Sequence, residues 1–180
     1  MDEQGLMGRI TFREANLLDR GDFVGTFGSI YERSPWVAEL AWRERPFEGP
    51  EDLRRALWRA VQEAPREQQL DLVRAHPDLA AVAGELTSES EREQSSAGLD
   101  RLSPEEYGRF RDVNAAYREK FGFPMVVYVR EHTKDSILAQ AEARLANNRD
   151  RELKTALEEI RKIAASRLED LIGPEEGGRR

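Results

Sequence analysis

Apolar residues recur along most of this chain at intervals of three and four, the spacing that places them on one face of an α-helix. Phe23, Val24, Phe27, Ile30 and Tyr31 form the first such stripe, with Asp22 placed to cap it. Ser34-Pro35, a cap followed by proline at the first helical position, opens a second helix through Trp36, Val37, Leu40 and Trp42, and Arg45-Pro46 ends it. Pro50 starts a third, in which Leu53, Leu57, Ala60 and Val61 repeat. A fourth, beginning near Pro65, carries Leu70, Leu72 and Val73 into His76. Pro77 disfavours helical backbone at the residue before it, so the chain turns at His76 and leaves that side chain at a helix terminus. Further on, Ser103-Pro104-Glu105-Glu106 reads as a capping box ahead of Tyr107, Phe110, Val113 and Tyr117, with Gly122 as terminator. Thr133 or Asp135 opens a helix through Ile137, Leu138, Ala141 and Leu145. Asp150 is placed to cap the last one, whose stripe is Leu153, Leu157, Ile160, Ala164 and Leu171. No strand alternation competes with this pattern, which predicts an all-α fold. The three tryptophans each sit within an apolar stripe and read as core anchors.

Three features break the pattern. Residues 87–97 form a helix with no large apolar side chain, and Ser90, Glu93, Gln94 and Ala97 fall on one of its faces. Such a helix is either exposed or turned toward a polar cavity. Residues 123–129 interrupt the helical series with a β-branched run. Lacking a second strand to pair with, they read as a short extended segment buried among helices, whose N–H and C=O groups need partners that a ligand could in part supply. Arg167 occupies a position where the last stripe calls for an apolar residue. A buried guanidinium requires a carboxylate partner, from the protein or from a ligand.

Composition narrows the function. The chain has 180 residues, enough for one domain with a proper core, and 35% of them are charged. The net charge of −7 argues against nucleic acid as a partner. With no cysteine and two histidines, neither a disulfide framework nor a transition-metal site is expected. No apolar run approaches the roughly 20 residues of a membrane helix, and no signal peptide or peroxisomal address is seen, so a cytoplasmic protein with no membrane partner is expected. Residues 1–10 and 174–180 read as frayed tails. No phosphate loop or nucleophile elbow occurs. The chain thus offers one polar helix face, one terminal histidine and one misplaced arginine. Taken singly, His76 reads as a satisfied helix-end histidine and Glu93 and Gln94 as a solvated face, while for Arg167 an ion pair and a ligand role are evenly matched. A site is conceivable; the reaction is not identified.

HPDLA at 76–80, SESEREQSSAGL at 88–99, FGFPMVVYVR at 121–130 and EEIRKIAASRL at 158–168, in that order, resemble the family that decarboxylates 2-oxo-4-hydroxy-4-carboxy-5-ureidoimidazoline (OHCU) to (S)-allantoin in urate degradation. The resemblance runs from about residue 11 to about residue 171. It implies a helical, cofactor-independent carboxy-lyase acting as a homodimer on a small-molecule substrate. Position by position, it implies catalytic roles for His76 and Glu93. Substrate contacts are implied for Pro77, for Ser90, Glu91, Arg92, Glu93 and Gln94 of the polar helix, for Met125, Val126, Val127, Tyr128 and Val129, and for Arg167. Two departures stand out: Met125 occupies a position that is often phenylalanine, and Ala81 one that is commonly glycine. If that glycine serves a tight turn, the turn here is built differently. Rival readings are another cofactor-free lyase or hydrolase of ureido compounds on the same scaffold, and a non-catalytic helical interaction module. The module requires Glu93, Gln94 and Arg167 to be exposed and divergent.

Overall fold

Nine α-helices and one 3-10 turn account for the regular structure of the described residues, 9–81 and 85–173 of a computed structural model; the fold is all-α. The expected tails at 1–8 and 174–180 lie outside the described residues. Ile10, counted with the first of them, is held instead: its N–H donates to the Leu171 carbonyl at 3.0 Å and its carbonyl accepts from Gly173 at 3.0 Å. No helix among the described residues is long and apolar enough to cross a membrane.

The chain divides into two compact units. The first comprises residues 9–64 and 164–173 of the described chain. It contains α1 (Phe12–Leu17), α2 (Arg20–Phe27), α3 (Trp36–Trp42), α4 (Pro50–Glu63) and the end of α9 (Arg149–Leu171). Phe23, Phe27, Ile30, Leu53 and Leu57 are each no more than 2% exposed and form its centre, with the Phe23 and Phe27 rings 4.7 Å apart. Two expectations are corrected here. Asp19, not Asp22, caps α2, its carboxylate accepting the Asp22 N–H at 2.9 Å; Asp22 sits three residues in, where a first-turn acid still favours the helix dipole. The tryptophans are not buried anchors: all three are half-buried, and Trp42 covers its ring with the Arg45 guanidinium 4.2 Å from the centroid while its indole N–H reaches the Leu18 carbonyl. The bulky indoles settle at the rim, and phenylalanine, tyrosine and aliphatic side chains are the ones buried here.

The second unit, residues 65–163, holds α5 (Arg66–Arg74), α6 (Ser88–Ser96), α7 (Pro104–Phe121), the 3-10 turn Val129–Glu131, α8 (Lys134–Arg144) and the first turns of α9. The predicted capping box at Ser103 is present, Thr133 rather than Asp135 opens α8 and forms a capping box with Ser136, and Gly122 ends α7 with φ +75°, a conformation glycine adopts without strain. The last helix is capped by Asn148, whose Oδ1 accepts the Arg151 N–H at 2.9 Å, rather than by Asp150. Residues 123–128 lie outside any helix or strand, with Tyr128 extended, and Phe123, Met125, Val126, Val127 and Val129 are all no more than 5% exposed.

Beneath that segment lies a buried ion pair absent from the sequence reading. Arg144 donates from Nε and Nη2 to Glu152 Oε1 at 2.9 and 2.5 Å, and from Nη1 to the Val126 carbonyl at 2.8 Å. Glu152 is fully buried, and its second oxygen accepts from Asn147 at 2.9 Å. Tyr117 packs its ring 6.0 Å from the guanidinium, and burial pushes its phenol above the ordinary tyrosine value, so it stays neutral.

Candidate active site

His76 is delivered by the end of α5. Its backbone N–H closes onto the Val73 carbonyl, and its ring, 6% exposed, lies back along the helix so that Nδ1 is 2.9 Å from the Leu72 carbonyl. A carbonyl only accepts, so Nδ1 carries the hydrogen, and Nε2 is the nitrogen that takes a proton in the neutral ring and gives it back from the charged one. The same bond fixes the plane of the imidazole.

The loop that follows is held from two helices. Gln94 of α6 uses both ends of its amide: Nε2 donates to the Asp78 carbonyl at 3.0 Å and Oε1 accepts the Ala80 N–H at 2.8 Å. From α7, Asn114 donates to the Leu79 carbonyl at 2.9 Å and Arg118 pairs with the Asp78 carboxylate at 2.9 Å. These clamps impose φ +57° on Ala80, a left-handed backbone that a residue with a β-carbon adopts at a cost. The turn is therefore built on Ala80 rather than on position 81, so the glycine that is common at position 81 is not what bends the chain here.

Helix α6 begins at Thr87, whose hydroxyl accepts the Ser90 N–H at 3.3 Å. Its polar face is turned inward: Ser90, Glu93 and Gln94 are 4%, 9% and 7% exposed. For these three the solvated-face reading is overturned. The next residues round the helix go the other way. Glu91 and Arg92 are exposed, Arg92 folding back onto the Ser88 carbonyl, so the buried face does not include these two expected contacts. The Val129–Glu131 turn packs directly on α6, which brings the end of the 123–128 segment to the helix carrying Ser90 and Glu93. Pro77 and Tyr128 are half-buried. A cavity of about 410 Å³ borders α6 at Glu91, Gln94 and Ser95 and runs on to Leu99 and Tyr107. Neither His76, Ser90 nor Glu93 lines it, and with Glu91 and Asp100 in its wall it is poorly suited to an anionic ligand.

Arg167 belongs to the first unit. It is 6% exposed, and the carboxylate its position demands is Glu32, itself 2% exposed, at 3.0 Å from Nη2; Nη1 donates to the Ser29 carbonyl at 3.3 Å. Glu32 escaped the sequence reading. Its only signal was a charged residue next to Ile30 and Tyr31 at the end of an apolar run.

A family model described as OHCU decarboxylase matches residues 16–169 of the chain, more than four-fifths of its length. The chain belongs to the OHCU decarboxylase family. Among its relatives, a protein of Haloferax volcanii named 2-oxo-4-hydroxy-4-carboxy-5-ureidoimidazoline decarboxylase is 47% identical over 169 residues, covering 94% of this chain and 100% of that one. A protein of the same name from Halalkalicoccus jeotgali is 44% identical over 95% of this chain and 97% of its own length. Among solved structures, the crystal structure of (S)-allantoin synthase superposes with a TM-score of 0.75 at 30% identity over 91% of this chain; the chain spans about half, 54%, of that longer protein.

Proposed function

We propose that this chain is a cofactor-independent OHCU decarboxylase that forms (S)-allantoin in urate degradation, with His76 and Glu93 as its catalytic groups. The observation that carries the reading is the inward-turned polar face of α6, where Ser90 and Glu93 are buried on the helix from which Gln94 holds the loop after His76 at Asp78 and Ala80. Family membership supplies the reaction. Burial of Glu93, Gln94 and Arg167 runs against the interaction module, which needs them exposed.

Loss of CO₂ leaves an electron pair on the carbon bearing the 4-hydroxyl. That pair forms a double bond to the neighbouring ring carbon as that carbon's double bond to nitrogen opens and the nitrogen takes up a proton, so the substrate brings its own electron sink. One proton then adds to one face of that ring carbon, and the 4-hydroxyl gives up its own to become a carbonyl. His76 Nε2 is the group read as moving that proton. Glu93 and Ser90 are read as fixing the ureido and ring N–H groups. Gln94 spends its amide oxygen and one N–H on the loop, so its main service is to hold Asp78 and Ala80, with at most its second N–H turned to substrate. Met125, Val126, Val127, Tyr128 and Val129 are read as the backbone wall. Arg167, paired with Glu32, is read as binding an anionic or carbonyl oxygen of substrate. Glu91 and Arg92 are not retained as substrate contacts. The whole chain is read as one decarboxylase domain, working as a cytoplasmic homodimer; a particle of two chains in analytical sedimentation is the expected result.

The test uses OHCU freshly made by oxidising urate and hydrolysing the product. Circular dichroism follows the reaction with and without the protein. A rapid, lasting optical signal is expected, because uncatalysed decay gives racemic allantoin. A racemic product at the background rate would remove the function.

A further inference from the structure

The segment at 123–128 has no strand partner, so its backbone groups must be satisfied from elsewhere. Arg144 takes the Val126 carbonyl from one side. On the other, Glu159 of α9 accepts the Tyr128 N–H at 2.7 Å through Oε2, the short distance of a charge-assisted bond. The carboxylate is nearly buried, its side chain 12% exposed, and its other oxygen is also committed: Oε1 pairs with Lys162, one helical turn on, at 2.9 Å. Lys162 in turn reaches Glu131 at 3.2 Å, and the bond to Glu159 holds its ammonium pKa above the ordinary lysine value. One turn of α9 therefore grips the chain at Tyr128 and again at Glu131, the two sides of the Val129–Glu131 turn that packs on α6.

We propose that Glu159 and Lys162 are positioning residues of the active site: they set the height of the 128–131 turn against α6 and so the place of the Val127 and Tyr128 backbone relative to Ser90 and Glu93. The inference rests on the decarboxylase reading of that site. Neither residue touches substrate. Each acts through the backbone it holds, where a displacement of about 1 Å lowers turnover far more than it lowers stability.

The experiment compares wild type, Glu159→Gln, Glu159→Ala and Lys162→Met in OHCU turnover and in amide hydrogen exchange of Tyr128. In Glu159→Ala, Tyr128 exchange rises about 10- to 100-fold and kcat falls about tenfold, with KM changed less than threefold. Glu159→Gln, whose amide oxygen can still accept the N–H, recovers most of both. Lys162→Met keeps the Tyr128 bond but frees Glu131, and kcat falls about threefold. An active wild type with unchanged Tyr128 exchange in Glu159→Ala overturns the clamp. Lost protection with kcat and KM both within twofold of wild type overturns the positioning role. Should Glu159→Ala not fold, the other two variants carry the same readouts, and wild-type kinetics in both of them overturns the proposal. A wild type inactive on OHCU would instead remove the function itself and the catalytic half of the inference with it, while the exchange data would still report on the clamp.

Discussion

Replacing Glu152 with glutamine removes one charge from the most deeply buried ion pair of the second unit. Glu152 is 0% exposed and Arg144 8%. In the variant the guanidinium keeps its bond to the Val126 carbonyl, but its two bonds to Oε1 lose their charge and the neutral amide presents one acceptor where there were two. The remaining cation then sits in low-dielectric surroundings beside the neutral Tyr117 phenol, with nothing to compensate it. Breaking one side of a buried pair costs about 3–5 kcal/mol. For a chain of this size, each kcal/mol shifts the melting temperature by roughly 2–4 °C, so Glu152→Gln is expected to lower it by about 6–20 °C. The double replacement Arg144→Met with Glu152→Leu removes both charges and fills similar space, and is expected to lose less than either single variant. Urea denaturation of wild type, Arg144→Met, Glu152→Leu and the double variant, as a double-mutant cycle with Glu152→Gln alongside, measures this. A cost below about 1 kcal/mol for Glu152→Gln, the value of an exposed pair, would refute the reasoning; so would additive single and double variants.

Four further outcomes follow from the site. His76→Asn should retain product binding by calorimetry and lose OHCU turnover; comparable turnover would take the catalytic role away from His76. Gln94→Glu sets a carboxylate oxygen against the Asp78 carbonyl, where an N–H donor stood, at a local cost of about 1–3 kcal/mol. A fall of about ten- to a hundredfold in kcat/KM is expected, and a wild-type value would mean the loop holds without its clamp. At Ala80, glycine relieves the left-handed backbone but loses a buried methyl and gains chain entropy, so stability should stay within about 1 kcal/mol, whereas β-branched valine should cost about 2–3 kcal/mol. Equal midpoints for Ala80→Gly and Ala80→Val in thermal denaturation would contradict the turn geometry. Arg167→Lys loses the planar fork and should raise KM about tenfold; an unchanged KM with a lowered melting temperature would assign Arg167 to its pair with Glu32 alone.

Local signals in the sequence carried much of this fold. The capping box at Ser103 and the Gly122 terminator were legible because their hydrogen bonds close within three or four residues, and Thr133 was one of two residues named to open α8. The inward turn of α6 was one of two readings open to a helix with no apolar stripe, and the burial of Ser90, Glu93 and Gln94 decides between them. The requirement that Arg167 have a carboxylate was legible, but its identity was not, since Glu32 lies 135 positions away and nothing local points to it. Arg144 and Glu152 could have been noticed by the same rule that singled out Arg167: each continues an apolar stripe, Arg144 three residues after Ala141 and Glu152 four before Ala156. The partners of the extended segment were anticipated as a need, with a ligand as one source; Arg144 and Glu159 meet part of it from within the chain. The tryptophans were misjudged because periodicity locates a face and says nothing of how deep a large ring can sink.

A helix without an apolar stripe has another consequence, for the way the molecule fails. Helices such as α4 are pinned by the same hydrophobic burial that holds their unit together, so they come apart only when that unit does. Helix α6 has no such share in the core. Gln94 ties it to the loop after His76 and the 129–131 turn lies on it, and the Gln94 bonds are polar ones that water can replace. Its opening is thus a local event, cheaper than global unfolding, and it dismantles the polar face while the remaining helices stand. A ligand that binds this face binds only the closed form, so it draws its affinity partly against that opening and stiffens the helix in return. Catalytic competence and thermal stability are in this chain two separate equilibria, and α6 is where they part.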